Sequence, residues 1–415
     1  MNIYYDFDKI IDRTGTSCAK WDSTEQIFGE KNLLPMWVAD MDFQSPPAII
    51  DALVKRAQHG FFGYSVIDPD YKEIVCSWFK RRHNWDVQPE WLTNVPQVIN
   101  ALSMSILIFT QPGDGVLIQT PCYDEFAKKT KETGRHVLDN RLICGPDGRY
   151  TIDFDDFEKK ASDPRARLFL LCSPHNPTGR VWTREELERM SEICLRHNVP
   201  IFSDEIHGDM ALEGHKHINL PSLNDEVAQN CIVATAISKT FNCPSLYLAD
   251  IIIPNPDLKS LFDTLPVNYL NFSTFPCFGI EGVKAAYTHG DEWLDQLLVY
   301  IKGNLEYASN FLKENAPHLR MNVPDGTYFG WLDCRSLGLT HDDLEHFAVH
   351  KLKMAVLDGS QFGENGAGFL RLNLGTQRSR VETAMERIAE AARSSIWARP
   401  ALLPESALTT SMLNN

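Results

Sequence analysis

Side chains able to do chemistry follow short apolar runs in this chain, each within a few residues of a run's end. Tyr123 closes Thr120-Pro121-Cys122-Tyr123, which follows Val116-Leu117-Ile118. Asn176 lies in Ser173-Pro174-His175-Asn176-Pro177-Thr178-Gly179, after Leu168-Phe169-Leu170-Leu171. Asp204 and His207 lie in Ser203-Asp204-Glu205-Ile206-His207, after Pro200-Ile201-Phe202. Ser238-Lys239 follows Ile232-Val233-Ala234. Taken singly, each has an ordinary structural use: Asn before Pro forms turns, Asp caps helices, and Lys is a surface charge. Taken in order, they offer an amine, proton-transfer groups, an amide and a stacking face.

The elements that must bring them together are runs bounded by turns. Val116-Leu117-Ile118 follows Pro112-Gly113-Asp114-Gly115, and Ile251-Ile252-Ile253 continues the series. Continuous apolar runs of this kind predict strands buried on both faces, as in a parallel sheet. Thr183, with Glu186 three positions on, predicts a capped helix running to His197. The fold class is α/β: a large domain with a mostly parallel sheet flanked by helices. In such sheets ligand groups gather at the carboxyl ends of the strands, so the set shares one rim.

After about residue 285 the pattern becomes α+β. An amphipathic helix is expected over 293–315, with Leu294, Leu297, Leu298, Ile301 and Leu305 on one stripe. A strand over 328–332, a helix over 344–352, strands over 355–357 and 369–374, and a helix over 381–393 follow. The expected organisation is an N-terminal segment 1–45 joined to a smaller domain 285–397, a large domain 46–284, and a mobile tail 398–415.

Hydrophobic residues make up 43% and charged residues 23%, an ordinary globular composition. The 40 basic and 55 acidic residues give a net charge of −15, which argues against nucleic acid and anionic membrane surfaces as partners. The 10 cysteines form no CxxC pair, and the first twenty residues have no apolar core for export. Reduced thiols in a cytoplasmic setting are expected. His215 and His217 beside Glu213 read as a solvated loop, and no metal is expected.

Asn176-Pro177-Thr178-Gly179, Asp204 with His207, Ser238-Lys239, and Arg371 in Phe369-Leu370-Arg371-Leu372-Asn373 together resemble one family. It is the fold-type I, aspartate-aminotransferase-like superfamily of pyridoxal 5′-phosphate enzymes. Pro35-Met36-Trp37-Val38-Ala39-Asp40-Met41-Asp42-Phe43, Phe62-Gly63-Tyr64 and the run from Leu171 to Trp182 are similar to its cystathionine β-lyase (C–S lyase) branch. The likeness extends over about residues 4–395.

The resemblance implies pyridoxal 5′-phosphate as cofactor and Lys239, Asp204 and Tyr123 as catalytic residues. Lys239 would carry the cofactor as a Schiff base and then remove the Cα proton. Asp204 would face the pyridine nitrogen, Asn176 and His207 the ring hydroxyl, and Tyr123 the ring face. Val98 and Ile99, with Gln97 and Ser238, would hold the phosphate. Arg371 would clamp the substrate carboxylate, with Ala39 and Tyr64 also at the substrate, and Tyr64 would come from the partner subunit of a homodimer. Departures from the family pattern are Gln97-Val98-Ile99 in the phosphate loop, Tyr247 at a common arginine position, and Cys243-Pro244-Ser245-Leu246 in the pocket wall.

The implied reaction is β-elimination from cystathionine or another cysteine S-conjugate, giving a thiol, pyruvate and ammonia. Aminotransfer on an α-amino acid is the alternative, because both reactions share loss of the Cα proton. A regulatory role through protein contacts is a third reading, since the branch includes a member that restrains a transcription activator. The absence of a basic helix-turn-helix segment argues against direct DNA binding.

Overall fold

The computed structural model describes residues 4–270 and 272–393, so the expected tail 398–415 lies outside the described residues. The apolar runs form a seven-stranded sheet. Its strands are β1 (Leu92–Val95), β2 (Gly115–Ile118), β3 (His136–Asp139), β4 (Ala166–Cys172), β5 (Ile201–Asp204), β6 (Cys231–Thr235) and β7 (Ala249–Ile252). Their spatial order is β1-β7-β6-β5-β4-β2-β3. From β3 to β6 all pairs are parallel, whereas β7 runs antiparallel to both β6 and β1. The Ile251 run is expected to continue the parallel series, and the structure reverses it. A strand buried on both faces is an unbroken apolar run in either direction, so the run carries no information on its sense.

Helices cover both faces. Along β4, Leu168, Leu170 and Cys172 enter one core while Phe169 and Leu171 enter the other, the two-residue period of a strand. Helix α1 (Val98–Phe109) and helix α2 (Asp124–Glu132) pack on the first face through Leu102 and Phe126. Helix α3 (Arg184–Arg196) packs on the second through Leu187, Met190 and Ile193. It begins with the expected capping box: Thr183 Oγ1 accepts from Glu186 N at 3.2 Å, and the Glu186 carboxylate accepts from Thr183 N at 2.9 Å. The short helix α4 (Ile237–Thr240) follows β6 directly.

A smaller unit follows the large sheet. It contains helix α5 (Asp291–Asn315), strands β8 (Phe329–Asp333), β9 (Leu357–Asp358) and β10 (Phe369–Asn373), and helix α6 (Arg378–Arg393). The three strands form an antiparallel sheet with β10 in the middle. Two expected elements are divided. The helix over 344–352 is an α-helical turn, His341–His346, continued by a π-helical one, Phe347–Lys351. The strand over 355–357 is split between β9 and Met354–Ala355, which pairs in parallel with Leu34–Pro35. That pairing ties the N-terminal segment to the C-terminal part of the chain.

His217 corrects another expectation. Instead of lying in a solvated loop it is buried, with Nε2 2.9 Å from Glu205 Oε2. Glu205 is itself buried at the strand tip and also accepts from Asn219 Nδ2 and Leu220 N, so the loop folds inward to satisfy it. His215 stays exposed. Among the described residues no group of three or more His, Cys, Asp or Glu side chains is arranged to hold a metal, and no helix is long and apolar enough to cross a membrane.

Candidate active site

A cleft of about 460 Å³ lies over the carboxyl ends of β4, β5 and β6. The parallel register sets Cys172 beside Asp204 and Asp204 beside Ala234, so the loops after the three strands leave the sheet side by side. The cleft wall brings together Ala39, Val98, Ile99, Tyr123, Asn176, Asp204, His207, Ser238, Lys239 and Arg371. Tyr64 is not in it. That ring is 96% exposed, on a loop outside the cleft.

Asp204 ends β5, and its carboxylate accepts one backbone hydrogen bond, from Ile206 N at 3.2 Å. Burial pushes its carboxyl up to about 7, against the pull of that N–H and of the Lys239 charge. Lys239 lies in α4, and burial, reinforced by the Arg371 charge, brings its amine down to about 8. Its Nζ donates to the Ala39 carbonyl at 2.7 Å. Burial, then the charges of Lys239 and Arg371, holds His207 well below the usual imidazole range. Its edges meet Tyr328 and Phe329, and Nδ1 is buried with no hydrogen-bond partner among the described residues.

Arg371 sits in the middle strand β10 of the small sheet and reaches the same cleft. Nη1 donates to Asn176 Oδ1 at 3.1 Å and Nη2 to the Trp37 carbonyl at 2.8 Å. The guanidinium lies over the Phe329 ring at 4.3 Å and the Phe362 ring at 5.0 Å. Burial lowers it to about 10, which leaves it charged at neutral pH, and Nε has no partner among the described residues.

The segment 37–42 forms a strap between Lys239 and Arg371. Besides its bonds to both, Ala39 O accepts from the Tyr328 hydroxyl at 2.9 Å and Val38 O accepts from Asn373 Nδ2. Asn242 accepts from Met41 N and donates to Met41 O and Phe43 O. At the end of the strap a buried charge cluster anchors it. Lys20, with no exposed surface, donates to Asp42 Oδ2 at 2.8 Å and to Asp40 O at 3.1 Å. Arg13 pairs with Asp40 at 2.6 Å and Asp42 at 2.9 Å, and Arg380 approaches Asp42 at 3.4 Å. Burial alone would raise Asp42, but the charge and hydrogen bond of Lys20 hold it below the usual carboxylate range.

Tyr328, Asn373, Lys20 and Asp124, which also lines the cleft, escape a reading of strand tips. For Asp124 a signal exists, because it directly follows Tyr123 at the end of the β2 run. The others act through contacts hundreds of positions apart, or within a segment that has no periodicity.

Residues 31–388 match the sequence profile of "Aminotransferase class I and II". The chain is 44% identical over 386 residues to cystathionine beta-lyase PatB of Bacillus subtilis (strain 168), covering 93% of this chain and 99% of that one. It is 36% identical to protein MalY of Escherichia coli (strain K12), covering 94% and 99%. The crystal structure of cystalysin from Treponema denticola, which contains a pyridoxal 5′-phosphate cofactor, superposes with a TM-score of 0.91 at 35% identity, covering 94% and 99%. With its carboxylate, lysine and arginine gathered at one strand-end cleft, this chain belongs to the aminotransferase class I and II family.

Proposed function

We propose that this protein is a pyridoxal 5′-phosphate-dependent carbon–sulfur β-lyase, cleaving cystathionine or another cysteine S-conjugate to a thiol, pyruvate and ammonia. One observation carries this reading. Lys239, Asp204, Asn176 and Arg371 share one cleft in a chain 44% identical, over 93% of its length, to a cystathionine beta-lyase.

The residues present suit that cofactor. His207 Nδ1 and Arg371 Nε are buried polar atoms without partners among the described residues. The first N–H groups of α1, at Val98 and Ile99, have no intrahelical acceptor and line the cleft, as a phosphate site requires. When bound, pyridoxal phosphate supplies an electron sink for a carbanion at Cα of an amino acid.

Asp204 would accept the hydrogen bond of the ring nitrogen, and a cationic partner there would offset the burial that raises its carboxyl. Asn176 and His207 would donate to the ring hydroxyl oxygen, Tyr123 would stack on the ring, and Ser238 would join Val98 and Ile99 at the phosphate. Arg371 would hold the substrate carboxylate in its guanidinium fork, which fixes the direction of the Cα–H bond. Ala39 O holds the Lys239 amine toward the cleft, and the neutral amine would take the Cα proton. The Cβ–S bond then breaks with its electron pair on sulfur. The sulfur would leave as a thiol with the proton that Lys239 took from Cα, and the three-carbon remainder would be hydrolysed by one water to pyruvate and ammonia.

We read the active form as a homodimer in which Tyr64 serves the partner's cleft. Exposed Phe61, Phe62 and Val66 beside Tyr64 support an apolar contact surface there. A cytoplasmic setting is supported by ten cysteines that are all free thiols. The proposed division is 1–45 with 285–397 as the smaller domain and 46–284 as the larger.

The test supplies L-cystathionine to the holoenzyme and follows thiol and pyruvate together. Their equimolar release is expected. Transfer of the amino group to an added keto acid, with no thiol released, would overturn the lyase reading.

A further inference from the structure

Among the described residues four charged side chains line the cleft: Asp124, Asp204, Lys239 and Arg371. The lyase reading gives the last three a task and leaves Asp124 idle. Asp124 opens α2 directly after Tyr123 and is half-buried. No side-chain donor bonds its carboxylate among the described residues. Arg371 acts on it through charge alone, without an ion pair.

An acid in the first turn of a helix has a plain use, since it complements the helix dipole. Here Glu125 already serves it, turned outward to Lys128 at 3.1 Å and Lys129 at 3.3 Å. Asp124 faces the cleft instead, where burial first, and then the Glu125 charge, push its carboxyl upward.

We propose that Asp124 selects substrates whose sulfur-bound leaving group carries a positive charge, by pairing with that charge inside the cleft. This rests on the lyase reading and narrows its substrate class to cysteine thioethers with a cationic arm, such as an ammonium. The α-carboxylate of any such substrate goes to Arg371 and its α-amino end to the Lys239 side. Arg371 is then neutralised, and Asp124 is the charge left facing the remainder of the molecule. A neutral arm would shut the carboxylate further from water with only its own backbone N–H to bond it. A cationic arm forms a charge-assisted hydrogen bond in a water-poor site.

The experiment compares S-(2-aminoethyl)-L-cysteine with the near-isosteric, uncharged S-propyl-L-cysteine. Holoenzyme is assayed for pyruvate release, and binding is titrated through the change in cofactor absorbance. Wild type is expected to prefer the aminoethyl compound. Asp124→Asn is expected to lower kcat/KM for that compound roughly ten- to hundredfold, the worth of one charged hydrogen bond, with the propyl compound within about twofold. Asp124→Glu keeps the charge and is expected to keep the preference. The ratio is read within each variant, so a general loss of activity cancels. An equal change for both compounds, or a preference that survives in Asp124→Asn, overturns the assignment. If both compounds pass their amino group to an added keto acid with no thiol released, but the binding preference vanishes in Asp124→Asn, the lyase reading falls and the Asp124 site stands.

Discussion

Lys239 Nζ donates to the carbonyl of Ala39 at 2.7 Å, across 200 positions of sequence. Two positions earlier on the same strap, the Trp37 carbonyl accepts from Arg371. The amine that would move a proton and the guanidinium that would orient the substrate are thus referenced to one short segment. A shift of that segment moves both, and it is the segment, more than the sheet, that fixes their separation.

Removing the amine should remove the chemistry. Lys239→Ala is expected to lose the visible absorbance of lysine-linked cofactor and to lower kcat by roughly 10²- to 10⁴-fold, the usual worth of a positioned proton-transfer group. Absorption spectra and pyruvate release measure both. An unchanged spectrum would mean that another lysine holds the cofactor.

Cofactor uptake should follow the state of that amine. Burial lowers Lys239 to about 8, so its uncharged, nucleophilic form accumulates as pH rises through about 8, not near 10.4 as for a free lysine. Cofactor-free protein is therefore expected to take up pyridoxal phosphate faster from about pH 7 to about pH 9 and then level off. A rate that still climbs about tenfold per unit above about pH 9 would contradict a lowered amine.

Arg371 gives a test that keeps charge and removes shape. Its planar group lies 4.3 Å from the Phe329 ring centre and bonds Asn176 and Trp37 at the same time. A lysine there has neither the fork nor the stacking plane. Arg371→Lys is expected to lower kcat/KM about ten- to hundredfold, corresponding to about 1.5–3 kcal/mol for a charged hydrogen bond. A change below about threefold in steady-state assays would remove Arg371 from the carboxylate site.

Much of this site is legible in the sequence because strand ends are. An apolar run such as Leu168–Leu171 marks a buried strand, and the residues just after such a run must lie at the rim where parallel sheets bind ligands. Asn176, Asp204 and Lys239 therefore meet in one cleft although they are far apart in the chain. The direction of β7 is not legible, since burial on both faces erases the alternation that would reveal it. His217 looks solvated because its neighbours Glu213, Gly214 and His215 are exposed; its partner Glu205 lies outside that loop. Lys20 looks like a surface charge for the same reason. Its partner Asp42 is 22 positions away, and only the folded chain removes both from water.

That buried cluster supports a ranking of two substitutions. Lys20, Arg13 and Arg380 surround Asp40 and Asp42, three cations about two carboxylates. Asp42→Asn leaves Lys20 without surface and without its 2.8 Å partner, with Asp40 3.7 Å away as the remaining acid. Breaking a buried pair in this way costs about 3–5 kcal/mol, because an uncompensated charge stays inside. Lys20→Met removes the fully buried cation, while Asp42 keeps Arg13 at 2.9 Å and Arg380 at 3.4 Å. Both variants should unfold at lower temperature than wild type, Asp42→Asn by the larger margin. Both should raise KM through the loosened strap more than an equally destabilising core truncation far from the cleft, such as Phe157→Ala. Thermal unfolding and steady-state kinetics on the three variants check the ranking; a larger loss in Lys20→Met than in Asp42→Asn would show that Lys20, not Asp42, is the anchor of the strap.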